Sequence, residues 1–194
     1  MYLLNDTMIR SYVNKPTGVY LDIQGFDDRF LHPTFYYFRL GHHYKLLNRD
    51  TGEWETSELD NENRIILLEQ FGYVLVKSFE RFYLSERVMA IFGQSSDFAK
   101  WGLQLVHSPF VDPLFNGHLD LGIWNRMPWT VQLELGQLIG KIKFFDISDT
   151  YPIRDSQGTV SETKLKRRRD FRDEDPNQPW IDSYLPDDID WGAK

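Results

Sequence analysis

Gly93-Gln-Ser-Ser-Asp-Phe-Ala-Lys-Trp-Gly-Leu103, followed a few residues later by Phe110-Val-Asp-Pro-Leu-Phe-Asn-Gly-His-Leu-Asp-Leu-Gly-Ile-Trp-Asn125, is the stretch whose reading decides the fold. It reads as a serine-bearing turn, a strand from about Leu103, a tight hairpin carrying Asp112, and a returning strand. In that last strand Leu119, Leu121 and Ile123 alternate with Asp120, Gly122 and Trp124, the two-residue period of a strand with one buried face. Hydroxyls at Ser95 and Ser96, a carboxylate at Asp112 and a ring at Phe115 suit a charged, ring-bearing ligand.

Outward from this stretch the chain is rich in short strands. Residues 1–14 predict a short helix, with Asn5 or Asp6 as its cap and Met8, Ile9, Tyr12 and Val13 at helical spacing. Pro16 and Gly18 end it. Residues 19–47 are aromatic and β-leaning, with turns at Gly25, Pro33 and Gly41. Asn48 to Asn63 is polar, contains Asp-Thr-Gly and predicts an exposed loop. Strands follow at Arg64–Leu68, Tyr73–Ser78 and Val88–Phe92. Beyond the central stretch come Thr130–Leu135, where Val131, Leu133 and Leu135 alternate with polar residues, and Leu138–Ile147. Short strands separated by turns predict a β-barrel or sandwich rather than a parallel α/β sheet. One domain over residues 1–149 is expected, with an extended tail over 150–194. Trp180, Ile181, Tyr184, Leu185 and Trp191 make that tail apolar enough for parts of it to dock.

The 194 residues are 41% hydrophobic and 26% charged, the composition of a soluble globular protein. No apolar run approaches the roughly 18 residues that span a bilayer, and the start lacks the pattern of a secretory signal. Cysteine is absent, which excludes disulfides and thiolate metal sites. A cytoplasmic protein is the simplest expectation. The net charge of −7 argues against general nucleic-acid binding through phosphates. Lys164, Lys166, Arg167, Arg168 and Arg169 form a local exception, either a solvated charge run or an arm that closes over phosphates.

Four segments, in order, resemble the superfamily of trimeric deoxyuridine triphosphatases and deoxycytidine triphosphate deaminases. Gln94-Ser-Ser-Asp-Phe-Ala-Lys-Trp-Gly-Leu is similar to the family's phosphate-binding segment. Val111-Asp-Pro-Leu-Phe-Asn-Gly117 is similar to the hairpin under the pyrimidine, and Ile123-Trp-Asn125 continues it. Gly136-Gln-Leu-Ile-Gly-Lys-Ile-Lys-Phe resembles the last segment. Leu4-Asn-Asp-Thr-Met-Ile and Phe35-Tyr-Tyr-Phe-Arg-Leu-Gly are closer to the deaminase branch. The resemblance implies a mainly β protein: a distorted antiparallel β-barrel with a short N-terminal helix, assembled as a homotrimer with sites between subunits. It implies a pyrimidine deoxynucleotide as ligand, with magnesium held through the phosphates and no metal site built from the chain. Asp112 becomes the general base or water holder. Ser95, Ser96, Lys100, Phe115, Gly117 and Lys141 become nucleotide-binding residues.

The departures from the family pattern sort the activities. The deaminase branch carries a glutamate at the position of Gly122, and deamination needs a group that moves protons between water and the ring. Glycine has none; another carboxylate, such as Asp120 on the same strand face, would have to substitute. The triphosphatase branch needs only the acid at Asp112. Gln94 replaces a phosphate-pairing arginine and so loses a charge and a bidentate fork. Lys141 stands where the family has glutamine. The expected function is therefore pyrimidine deoxynucleoside triphosphate pyrophosphatase, dUTPase-like, with a nucleotide-binding protein lacking turnover as the alternative. Each candidate also has a plain structural role open to it. Asp112 before Pro113 can start a turn, Ser95 and Ser96 can cap one, and Phe115 can sit in the core. Trp101, Trp124 and Trp129 read as packing or subunit-contact residues, and the histidines show no zinc spacing.

Overall fold

The computed structural model describes residues 1–13, 20–48 and 50–150. The expected tail from residue 151 onward, with its basic run, lies outside the described residues, as do Pro16 and Gly18. The chain opens with β1 (Tyr2–Leu3), helix α1 (Asp6–Tyr12), β2 (Leu21–Gln24), β3 (Leu31–His32) and the long β4 (Phe35–Leu47). It continues through β5 (Trp54–Glu58), β6 (Ile65–Leu68), β7 (Tyr73–Leu84) and β8 (Val88–Gln94). Helix α2 (Ser96–Lys100) leads to β9 (Leu103–Val106), β10 (Phe110–Val111), β11 (Asn116–Asn125), β12 (Val131–Glu134) and β13 (Leu138–Asp146). No helix among the described residues is long and apolar enough to cross a membrane.

The fold is mainly β, and every described strand pairing is antiparallel. The main sheet runs β10-β8-β13-β4-β7-β11-β9, with β1, β2, β3 and β5 added along it; β6 and β12 form a separate pair. The sheet curls but does not close: β9 and β10 end the path, where a barrel would join them. Both are short. At that gap the Gln94 side chain substitutes for a ladder bond, its Oε1 accepting from the Leu105 amide at 3.1 Å.

Alternation explains the core. Along β7 every second side chain is buried, from Val74 and Val76 to Phe82 and Leu84. The same period in β11 buries Leu119, Leu121 and Ile123, as the sequence predicts. Phe38, Phe82 and Phe144 complete the interior, each burial contributing about 1.5–3 kcal/mol. Two polar positions interrupt the pattern at Ser78 and Glu80, where β7 slips register against both β4 and β11. Ser78 repairs the slip: its hydroxyl donates to the Glu80 carbonyl at 2.6 Å and accepts from the Leu119 amide at 2.8 Å. The neighbouring backbone comes so close that a Cβ on Gly41 would lie 2.6 Å from the Ser78 carbonyl oxygen, so only glycine fits. Glu80, fully buried, takes Arg39 Nε at 2.7 Å and the Arg39 amide at 2.9 Å. Burial pushes its carboxyl upward and the bonds from Arg39 pull it back.

Four expectations need correction. Gly41 is no turn but lies inside the continuous strand β4. Asn48–Asn63 is not simply a loop: β5 lies within it, paired with β4, and Leu59 is buried. Its polar residues face solvent on an edge strand, which erases the apolar period. The serine-bearing turn is a capped helical turn, α2. The hairpin at Asp112 is not tight: β9 and β11 do pair, but the connection between them sends β10 across to β8. The helix expectation at the start stands in shorter form, Asp6–Tyr12, with Asn5 Oδ1 capping the Met8 amide at 2.9 Å.

Asp146 closes the molecule at the end of β13. It is 3% exposed; its Oδ2 accepts from Tyr2 at 2.6 Å and from Tyr20, and its Oδ1 accepts from the Ser148 amide at 2.7 Å. Burial alone would raise this carboxyl, but the hydroxyl and amide donors outweigh it and hold the value at about 2. A carboxyl depressed in the fold contributes stability above its unfolded value of about 3.9, lost as pH falls towards the folded value. The melting-temperature gap between wild type and Asp146→Asn is therefore expected to narrow from pH 4 to pH 2, followed by thermal denaturation.

Candidate functional site

The strands split the predicted residues into two groups. The first sits where β8 runs into α2. Ser95 is 4% exposed, and its hydroxyl accepts from the Phe98 amide at 3.2 Å, so it serves as the helix N-cap. Ser96 is exposed beside it. Lys100 points to solvent and pairs with Asp97 at 3.1 Å within the same short helix. Lys141 on β13 lies opposite Gly93 and Tyr37, with its ammonium 5.1 Å from the Phe35 ring centre and 5.4 Å from that of Tyr37.

The second group sits at the other end of β8. The Phe115 amide donates to the Asp112 carbonyl at 3.3 Å, closing a turn in which Leu114 takes a left-handed φ of 68°. Phe115 packs against the core, and Gly117 lies opposite Phe82 of β7. A Cβ on Gly117 would lie 3.6 Å from the Phe115 ring, an ordinary contact. Val111 pairs with Ala90, five residues before Ser95, a separation of about 16 Å along an extended strand. One chain does not bring Asp112 against Ser95 and Ser96.

Two features escaped the sequence reading. Strand β11 passes so close to Tyr73 that a Cβ on Gly122 would overlap the Tyr73 hydroxyl. The phenol fills the place where a side chain on residue 122 would stand. Asp120, the candidate substitute acid, pairs with Lys77 at 3.0 Å. Its side chain remains 46% exposed; the surrounding protein raises its carboxyl and Lys77 draws it back. The second feature is Arg126. It lines an open cleft of about 570 Å³ together with Gln94, Ala99, Gly102, Leu103 and Gln104. Its guanidinium lies 5.5 Å from the Trp124 ring and 3.5 Å from Gln104 Oε1, and it forms no ion pair with a described carboxylate. A second cleft of about 480 Å³ is lined by Trp101, Gln132, Glu134 and Gln137 among others. Nothing in the local sequence marks Tyr73 or Arg126; only the pairing of β7, β9 and β11 places them. Among the described residues no group of three or more histidines and carboxylates could hold a metal ion.

The curled antiparallel sheet has a counterpart among solved structures. It is similar to the crystal structure of 2'-deoxycytidine 5'-triphosphate deaminase from Agrobacterium tumefaciens, with a TM-score of 0.59 and 16% identity. That match covers 73% of this chain and 48% of the other, so the chain spans about half of that structure. Among curated proteins it is 30% identical over 158 residues to the dUMP-forming dCTP deaminase of Beutenbergia cavernae, covering 75% of this chain and 80% of that one. It is 28% identical over 151 residues to the protein of that name from Tropheryma whipplei, strain Twist, covering 72% and 76%. The model of the dCTP deaminase-like family matches residues 9–147, and the chain belongs to that family.

Because the Ser95 hydroxyl is spent on α2, Ser95→Ala is expected to cost about 1 kcal/mol, seen as a fall of roughly 2–4 °C in melting temperature. Ser96→Ala, exposed and outside the cap, is expected to leave the midpoint within about 2 °C, since surface substitutions stay within about ±0.5 kcal/mol.

Proposed function

We propose that this protein hydrolyses pyrimidine deoxynucleoside triphosphates at the α-phosphate, releasing pyrophosphate, and does not deaminate the base. The observation that carries this reading is the pairing of a retained acid at Asp112 with a Gly122 whose side-chain space belongs to Tyr73. Asp112 directs water at phosphorus. No group on residue 122 is available to pass protons to the ring, and Asp120 is committed to Lys77. The relatives' name, dUMP-forming dCTP deaminase, describes a product that has lost both the amine and two phosphates. This chain is proposed to keep the second of those conversions.

The ligand is proposed to lie between copies of the chain, most simply in a homotrimer. One copy supplies Asp112, Phe115 and Gly117; another supplies Ser96 and the cleft beside α2. The roughly 16 Å between the two groups along β8 supports this division. Arg126, facing the same cleft as Gln94, restores the positive charge that glutamine lacks there. Magnesium, arriving on the nucleotide phosphates, supplies charge neutralisation of the kind these cations give with one or two carboxylates and water.

A second reading, a nucleotide-binding protein without turnover, has its own support. Gln94 Oε1 and Ser95 Oγ each accept from an amide of the chain itself, and Lys141 rests over Phe35 and Tyr37. Product analysis separates the two. With magnesium, dUTP is expected to yield dUMP and pyrophosphate, and dCTP to yield dCMP and pyrophosphate without ammonia. Asp112→Asn is expected to slow either reaction by about 10²–10⁴-fold while leaving the fold intact. Ligand-dependent stabilisation without any product favours the binding protein, and ammonia from dCTP contradicts the assignment of Gly122.

A further inference from the structure

Tyr73 begins β7 directly across from Trp124 of β11. Its phenol leans over Gly122, whose missing side chain makes the room. Trp54 meets the ring at 6.0 Å and an interplanar angle of 67°, fixing it from the β5 side. Packing therefore determines where the ring lies. The hydroxyl is a different matter: it makes no hydrogen bond to any described residue, and burial alone shifts it, upward. A phenylalanine would fill the same space. A half-buried hydroxyl that no described residue meets is open to water or to a ligand from outside the chain.

The surroundings suit a flat polar ring. Trp124, the partly exposed cross-strand neighbour of Tyr73, and the Lys77–Asp120 pair flank Gly122 along the same face of β11. Past Trp124 the surface leads, by way of Arg126, into the cleft that also holds Gln94. A ring at Tyr73 with an anionic extension towards Arg126 fits this layout.

We propose that Tyr73 reads the base: its hydroxyl hydrogen-bonds the exocyclic group of a bound pyrimidine and performs no chemistry on it. A phenol both donates and accepts, so it serves a uracil carbonyl and a cytosine amine alike. The inference rests on the nucleotide reading above and adds a base-contacting residue to it.

Isothermal titration calorimetry with magnesium and three probes tests it: the α,β-imido analogues of dUTP and dCTP, and 2-deoxyribose 5-triphosphate, which lacks a base. Tyr73→Phe is expected to bind both nucleotide analogues about 5- to 10-fold more weakly, the loss of one neutral hydrogen bond. The base-free triphosphate should bind wild type and variant equally, with the variant's melting temperature unchanged. Equal nucleotide affinities for the two proteins overturn the proposal, as does an equal loss for all three probes, which marks a general distortion. Failure of wild type to bind any of the three probes instead removes the nucleotide reading, and this inference with it.

Discussion

A β-strand has a fixed length, and strand β8 sets the terms for this molecule. Its rise of about 3.3 Å per residue keeps the Asp112 turn, attached through Val111 to Ala90, well away from the serines that follow Gln94. Side-chain motion cannot cover that gap. The strand is held on one side by β13 over seven consecutive pairs, from Gly140–Gln94 to Asp146–Val88. The two groups are consequently held apart within one chain, at opposite ends of β8.

The same framework pays for its curl at defined places. The slips on either side of β7 leave Ser78 and Glu80 inside, and each is satisfied: Ser78 by Leu119 and Glu80, Glu80 by Arg39. Arg39 is itself sandwiched, 4.2 Å from the Phe79 ring and 4.9 Å from that of Phe30, while its Nη2 donates to the Gly25 carbonyl at 2.7 Å. Removing either partner of such a buried pair leaves a stranded charge and costs about 3–5 kcal/mol. These polar groups lie where the sheet slips register, while the regular pairing of β7, β11 and β9 beyond them places Tyr73 against Gly122 and leads into Arg126.

Much of the β framework was legible because its signal is local. Leu119, Leu121 and Ile123, or Leu133 and Leu135, announce an inward face by alternation alone. The Asn5 cap was legible for the same reason. Trp54–Glu58 was not, since an edge strand with polar residues on both faces carries no apolar period. Nor was the open seam, which depends on how short β9 and β10 are. Asp112 and Ser95 could be named from their neighbours in sequence, but the strand between them had to be measured to show that they stand apart. Tyr73 lies far from Gly122 in the chain, and no local pattern at either residue predicts that one fills the space the other leaves.

Complementation between two disabled variants tests the split site most directly. Asp112→Asn removes the acid from one half, and Ser96→Glu places a repelling charge in the other. Each variant alone is expected to be inactive towards dUTP with magnesium. Co-expressed in one cell and purified together, they are expected to regain hydrolysis well above either alone, because mixed assemblies contain sites built from the two intact halves. A co-purified mixture as inactive as its components, with mixed assemblies verified by mass spectrometry, would contradict the account.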